Sequence, residues 1–181
     1  DLAYACWQQT SKRVDEALQT ELSELRAVVE AVKDARYADL ERYLQNGEWR
    51  AADKETYELM ITEVGKEVGE GFSREDLLYF PCEPLKVIDG LWVRHSDGQY
   101  GFSVQKEMYM RCGGSLDGEY NREAFNTLCE NNGWKVNGKW VGGKFDTYSP
   151  MGHFPLIEAL IGDVWCKWLS FLFSRIQTCK V

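Results

Sequence analysis

From Ser11 to Lys33 the chain has neither glycine nor proline, and Leu18, Leu22, Leu25, Val29 and Val32 recur at spacings of four, three, four and three. Residues three and four apart share one face of a helix, so this rhythm draws an apolar seam along a single amphipathic helix. The seam lasts about two heptads, where a coiled coil is specified by three or four. Two readings stand: self-association, or docking of the helix on its own domain.

The rest of the chain keeps to helical spacing, punctuated by glycine. Tyr37 to Leu44 reads as a helix stopped by Asn46-Gly47, and Glu48 to Val64 as the next, with Trp49, Ala52, Thr56, Leu59 and Met60 inward. Such an antiparallel pair buries little alone and must be covered by later elements. Ser73, with Asp76 three places on, caps a short helix. Helical spacing continues over Pro84–Arg94, Ser103–Arg111, Asn121–Asn132 and Leu156–Gln177. Between the last two, Asn137-Gly138 sits between short apolar arms, the strongest hairpin signal in the chain. The expected fold is all-α: a compact helical domain over residues 35–181 with one small Asn-Gly hairpin, preceded by an N-terminal amphipathic helix over residues 1–34.

A chain of 181 residues is long enough for a core that needs no disulfide staples. Its 29 acidic residues outnumber its 21 basic ones, and no run gathers the cations that a phosphate backbone requires, which excludes nucleic acid as a partner. The cysteines (Cys6, Cys82, Cys112, Cys129, Cys166, Cys179) never form a CxxC pair, so neither a zinc site nor a disulfide framework is indicated. The simplest expectation is reduced, mostly buried thiols in a cytosol-like compartment. The start, Asp1-Leu2-Ala3-Tyr4, reads as a processed or trimmed chain. The most apolar run, Val164 to Phe173, is too short to span a bilayer and is interrupted by Lys167.

No catalytic constellation stands out. Gly101-Phe102-Ser103-Val104-Gln105 lacks the second glycine of a nucleophile elbow, and Gly113-Gly114 leads into acidic rather than basic residues, unlike a phosphate cradle. The two histidines, His95 and His153, fall in different turns, so no metal site is expected; His153 is expected to bond its own loop backbone. Met151 suits a hard magnesium ion poorly and would act as a soft packing group. Trp140, Phe145, Tyr148 and Phe154, by contrast, fall within fifteen residues of a glycine-rich loop. Aromatics at such density serve either extra core or a flat apolar ligand, and their place in a shaped loop favours a presented surface.

Several runs, read in order, resemble one family. They are Phe80-Pro81-Cys82-Glu83-Pro84-Leu85-Lys86-Val87-Ile88-Asp89 with Leu91-Trp92, then Ser96 to Lys106, then Gly133-Trp134, then Ser149-Pro150-Met151-Gly152-His153-Phe154-Pro155. Together they are similar to the genomes-uncoupled-four domain from about Ala35 to Pro155, with Gly-Phe-Ser-Val-Gln after a Leu-Trp helix as a specific signature. The resemblance implies a domain shaped like a cupped hand whose greasy palm holds protoporphyrin or magnesium-protoporphyrin. It implies a binding protein, not an enzyme, that stimulates magnesium chelatase in chlorophyll synthesis, with the chelatase large subunit as partner. The implied location is the plastid stroma, the thylakoid surface or a cyanobacterial cytoplasm. The implied palm comprises Trp140, Phe145, Tyr148, Met151 and Phe154, and the implied opposing finger Phe72 to Leu78.

Where the best-studied branch of that family carries an amide and two arginines facing the porphyrin carboxylates, this chain has Glu158, Ile161 and Val164; Tyr57 stands where a further arginine falls. The cations left to serve the palm are Lys144, Arg74 and Arg94. A bilin or a chlorophyll-like ring is therefore an alternative ligand, and an adapter subunit of a photosynthetic or signalling assembly an alternative role. The C-terminal Trp165, Trp168, Leu169, Phe171, Leu172 and Phe173 read either as a core helix or as a peripheral contact with a membrane or a photosynthetic complex.

Overall fold

Helix α1 spans Leu2–Gln45 without a break in the computed structural model of the chain, which describes residues 2–141, 145, 148–157 and 163–181. The two helices expected before Asn46 are thus one, because Asp34-Ala35-Arg36 contains nothing that resists helical backbone angles. α1 stops where expected: Gly47 takes φ +68°, and the Glu48 and Gly47 amides donate to the Tyr43 and Leu44 carbonyls at 2.9 and 3.1 Å.

The chain divides into two units, Asp1–Ala38 and Asp39–Val181. The first is helical, and its seam residues Leu18, Leu22, Leu25, Val29 and Val32 are exposed. The second holds α2 (Trp49–Glu63), α3 (Arg74–Leu78), α4 (Cys82–His95), α5 (Phe102–Arg111), α6 (Arg122–Asn131), a hairpin of β1 (Lys135–Val136) and β2 (Lys139–Trp140), and α7 (Asp163–Cys179). The fold is all-α apart from that hairpin. Asn137 and Gly138 both take positive φ, +51° and +72°, as a two-residue turn of this hand requires, and the register pairs Lys135 with Trp140 and Val136 with Lys139. The Ser73 cap forms with its reciprocal Asp76 bond.

Two aromatic nuclei fill the second unit. In one, Trp92 and Phe154 stack at 5.9 Å, Tyr100 meets Phe154 edge-on at 5.0 Å, and Trp49 closes the group. The Trp92 indole N–H donates to Thr56 Oγ1 at 2.9 Å, which donates on to the Ala52 carbonyl, so these two buried groups are satisfied. In the other, Tyr109, Phe125 and Phe173 join α5, α6 and α7. Leu169, Leu172, Phe173 and Ile176 are fully buried, so these residues of the apolar C-terminal run form a core helix. Among the described residues no helix is long and apolar enough to cross a membrane.

The cysteines correct the expectation of reduced thiols throughout. Cys82, the first residue of α4, and Cys179, the last of α7, form a disulfide across 97 residues of sequence; Cys112 and Cys129 remain thiols. The pairing follows from α7 lying against α4, which brings together two positions that no sequence spacing links.

A second long-range tie is polar. Asp53, in the second turn of α2 and 2% exposed, accepts from the Leu156 and Ile157 amides at 2.6 and 2.8 Å. Replacing it by alanine strands two buried donors. The Asp53→Ala variant should lose about 3 kcal/mol in urea denaturation, with Asp53→Asn intermediate; an unchanged midpoint would refute the tie. Cys82→Ser should lose about 2–4 kcal/mol relative to the oxidised chain, and a reductant should destabilise the parent but leave the variant unmoved.

Candidate functional site

The segment Ser149–Ile157 is sewn to four elements. Gln99 Nε2 and the Tyr100 hydroxyl both donate to the Ser149 carbonyl at 3.2 Å, and the Gly152 amide donates to the Gln99 carbonyl at 2.8 Å. Gln105 Nε2 donates to the Gly152 and Pro155 carbonyls at 3.1 and 2.8 Å, the Gly101 amide to Phe154, and the Trp134 indole to His153. His153 Nδ1 lies 2.7 Å from the Asn132 carbonyl at the end of α6, so the ring bonds a neighbouring element, not its own loop as expected. Gly152 takes φ +70°, where a side chain is strained, and a Cβ there would meet Met108 Sδ at 2.5 Å, so the position favours glycine. The Gly101-to-Gln105 signature thus acts through its ends, which hold this loop. Between them Phe102 is buried and the Ser103 amide donates to Asp89, whose carboxyl pKa is raised by burial against that bond.

The hairpin turns a different face to each side. Lys135 and Trp140 are cross-strand partners, and the Lys135 ammonium lies 4.5 Å from the Trp140 ring centre. Lys135 also donates to Asn126, and borders a polar concavity of about 500 Å³ with Tyr120, Arg122, Glu130 and Lys167. Alternation along the strands sends Val136 and Val141 the other way. There they line an apolar concavity of about 410 Å³ with Gly133, Tyr148, Ser149, Pro150 and His153.

Of the residues expected in the palm, Tyr148 lines this concavity and is 93% exposed, and Met151 is half exposed nearby in sequence. Phe145 stacks on Phe154 at 5.3 Å, with the Arg50 guanidinium 4.5 Å from its ring centre. Phe154 itself is fully buried in the first aromatic nucleus and serves as backing. Trp140 is half-buried on the opposite face of the hairpin from Val136 and Val141. Lys144, Glu158 and Ile161 lie outside the described residues, as does the side chain of Val164. Arg94 lies 3.9 Å from Glu41.

In the expected finger, Phe72 meets Tyr57 edge-on, Leu78 is half-buried, and Arg74 lies over the Phe171 ring of α7. Tyr57 pins the strap before the finger: its hydroxyl accepts from the Gly69 amide and donates to the Glu70 carbonyl. Burial tends to raise the pKa of Asp76, but hydrogen bonds from Lys66 and Ser73 outweigh it and hold the carboxyl below its ordinary value. The stability this adds is present above about pH 4 and is lost as pH falls through the depressed value.

Sequence reasoning missed Val136, Val141, Arg50 and Lys135. The two valines could have been found, since an Asn-Gly hairpin with alternating arms predicts a two-faced wall. Arg50 could not, because it lies 95 positions before Phe145.

A family profile described as GUN4-like matches residues 30–172. The tetrapyrrole-binding protein of Arabidopsis thaliana chloroplasts is 31% identical over 135 residues, 71% of this chain and 51% of that protein. A Ycf53-like protein of Synechocystis is 30% identical over 136 residues, 70% of this chain and 53% of its own length. The chain therefore spans about half the length of these curated relatives. The ligand-free structure of Arabidopsis thaliana GUN4 superposes with a TM-score of 0.60 at 26% identity, covering 77% of this chain and 91% of that one. With the profile extending over most of its length and its helical fold shared with a solved member, the chain belongs to the GUN4-like family.

Proposed function

We propose that the chain is a non-catalytic tetrapyrrole-binding protein that assists magnesium chelatase in chlorophyll synthesis. The observation that carries this reading is the apolar concavity of about 410 Å³ between the Val136/Val141 face of the hairpin and the Ser149–His153 loop. A flat macrocycle needs an oily wall that is already in place, because ordering a loose loop would consume binding energy. Here the wall is bonded to α5, to the α4–α5 turn and to the end of α6. The family supports the same reading, as does the Arabidopsis relative, a tetrapyrrole-binding protein.

In this proposal Tyr148, Met151 and Phe145 meet the ring, Phe154 backs them from the core, and Trp140 stiffens the hairpin. Phe72, Leu78 and Arg74 form the opposing finger, and Lys144 adds a cation from the palm loop. The carboxylates of a porphyrin require positive partners, since a desolvated charge without one is costly. Arg50 over Phe145 stands beside one of the proposed ring contacts. It takes the part that arginines play in the best-studied branch. The chain binds the ring, orients it and keeps water from one face; insertion of magnesium belongs to the chelatase, whose large subunit is the proposed partner. The proposed ligands are protoporphyrin, magnesium-protoporphyrin, a bilin or a chlorophyll-like ring. The proposed location is a plastid stroma or thylakoid surface, or a cyanobacterial cytoplasm.

Titration with protoporphyrin, magnesium-protoporphyrin and biliverdin should give a saturable shift of the pigment's absorption and quenching of tryptophan fluorescence with at least one of them; flat curves for all three would end the proposal. Val141→Glu should weaken that binding about tenfold or more, near 1.4 kcal/mol. Arg50→Ala should weaken a porphyrin dicarboxylate about fivefold, yet leave its dimethyl ester unaffected. Addition of the chain to limiting magnesium chelatase should raise the rate of insertion; no change with intact binding would remove the chelatase role alone.

A further inference from the structure

The seam of α1 is exposed on the folded chain. Leu18, Leu22, Leu25, Val29 and Val32 lie between 44% and 65% accessible, and Val14 and Val28 beside them are likewise exposed. Seven large apolar residues in nineteen positions on one helix exceed the isolated exposure that any soluble surface tolerates. The mean spacing of Leu18, Leu22, Leu25, Val29 and Val32 is 3.5 residues, against about 3.6 for a straight helix, and keeps the stripe on a partner that winds with it to the left.

We propose that α1 pairs with α1 of a second copy of this chain in a parallel, in-register, two-stranded coil. Charge selects this occupant. With Leu22 and Val29 at a positions and Leu18, Leu25 and Val32 at d, Glu21 falls at g and Arg26 at the following e. In a parallel pair g faces the partner's e five residues on, so Glu21 meets Arg26 twice by symmetry. An antiparallel pair would set e against e, and the e residues here are Gln19, Arg26 and Lys33, with bases facing bases. A lipid surface fits less well. Between Ser11 and Asp34 six acids (Asp15, Glu16, Glu21, Glu24, Glu30 and Asp34) face four bases (Lys12, Arg13, Arg26 and Lys33), whereas helices that lie on membranes carry a cationic polar face. The short seam makes the pairing concentration-dependent. It rests on unit 1 alone and stands or falls separately from tetrapyrrole binding.

Sedimentation of the full chain over a hundredfold dilution series tests it. A dimer that dissociates on dilution is expected. Leu25→Glu should leave only monomer, with helicity by circular dichroism showing that α1 persists; Leu25→Ser is the milder second variant. Glu21→Arg or Arg26→Glu alone should each raise the dimer dissociation constant about fivefold, and the double exchange E21R/R26E should return it to within about twofold of the parent. A monomer at every concentration overturns the proposal, whether the seam then binds anionic vesicles or folds back on its own chain. A dimer indifferent to Leu25→Glu, or a double exchange that fails to restore pairing, overturns it equally.

Discussion

One carboxylate ties α2 to the segment just beyond the loop of the candidate site. Asp53 sits in the second turn of α2, a helix that also packs through Ala52, Met60 and Ile61, and it is buried at a site where a lone charge would be costly. The Leu156 and Ile157 amides, from more than a hundred residues downstream, satisfy it. They lie just beyond the loop that lines the apolar concavity, where Ile157 takes φ +50° and cannot continue a regular element. The geometry of the candidate site therefore depends on an interaction that touches none of its lining residues.

From that anchor the wall builds outward. Gln105 and Gly101 hold the loop from below, the Trp134 indole holds it at the end of α6, and the hairpin that follows Trp134 supplies the opposing valines. Polar side chains here mostly bond backbone carbonyls, which fixes the course of a chain more firmly than packing of flexible side chains could. Tyr57 does the same for the strap ahead of α3, where its phenol bridges Gly69 and Glu70. A position that bears a cation in the best-studied branch is thus occupied by a tie.

Local grammar was largely legible. The Asn46-Gly47 stop, the Ser73 cap and the Asn137-Gly138 turn all depend on backbone preferences carried by one or two residues, and each formed where the sequence placed it. The break anticipated near residue 35 did not form, because helical propensity runs unopposed through Asp34-Ala35-Arg36. What eluded the sequence was long-range: the Asp53 tie, the Cys82–Cys179 bond and the Arg50–Phe145 contact join positions 95 to 104 residues apart. Phe154 shows the same limit from another side. Its place in a glycine-rich loop suggested a presented ring, yet Trp49, Trp92 and Tyr100 enclose it.

The bond between Cys82 and Cys179 makes the polypeptide from the start of α4 to the end of α7 a closed covalent ring. A single peptide bond cut anywhere inside that ring opens it without releasing a piece. A chain nicked between α5 and α6, or beyond the hairpin, keeps its full mass until the sulfurs are reduced. Damage to the ring stays hidden in an oxidising setting and becomes fragmentation in a reducing one.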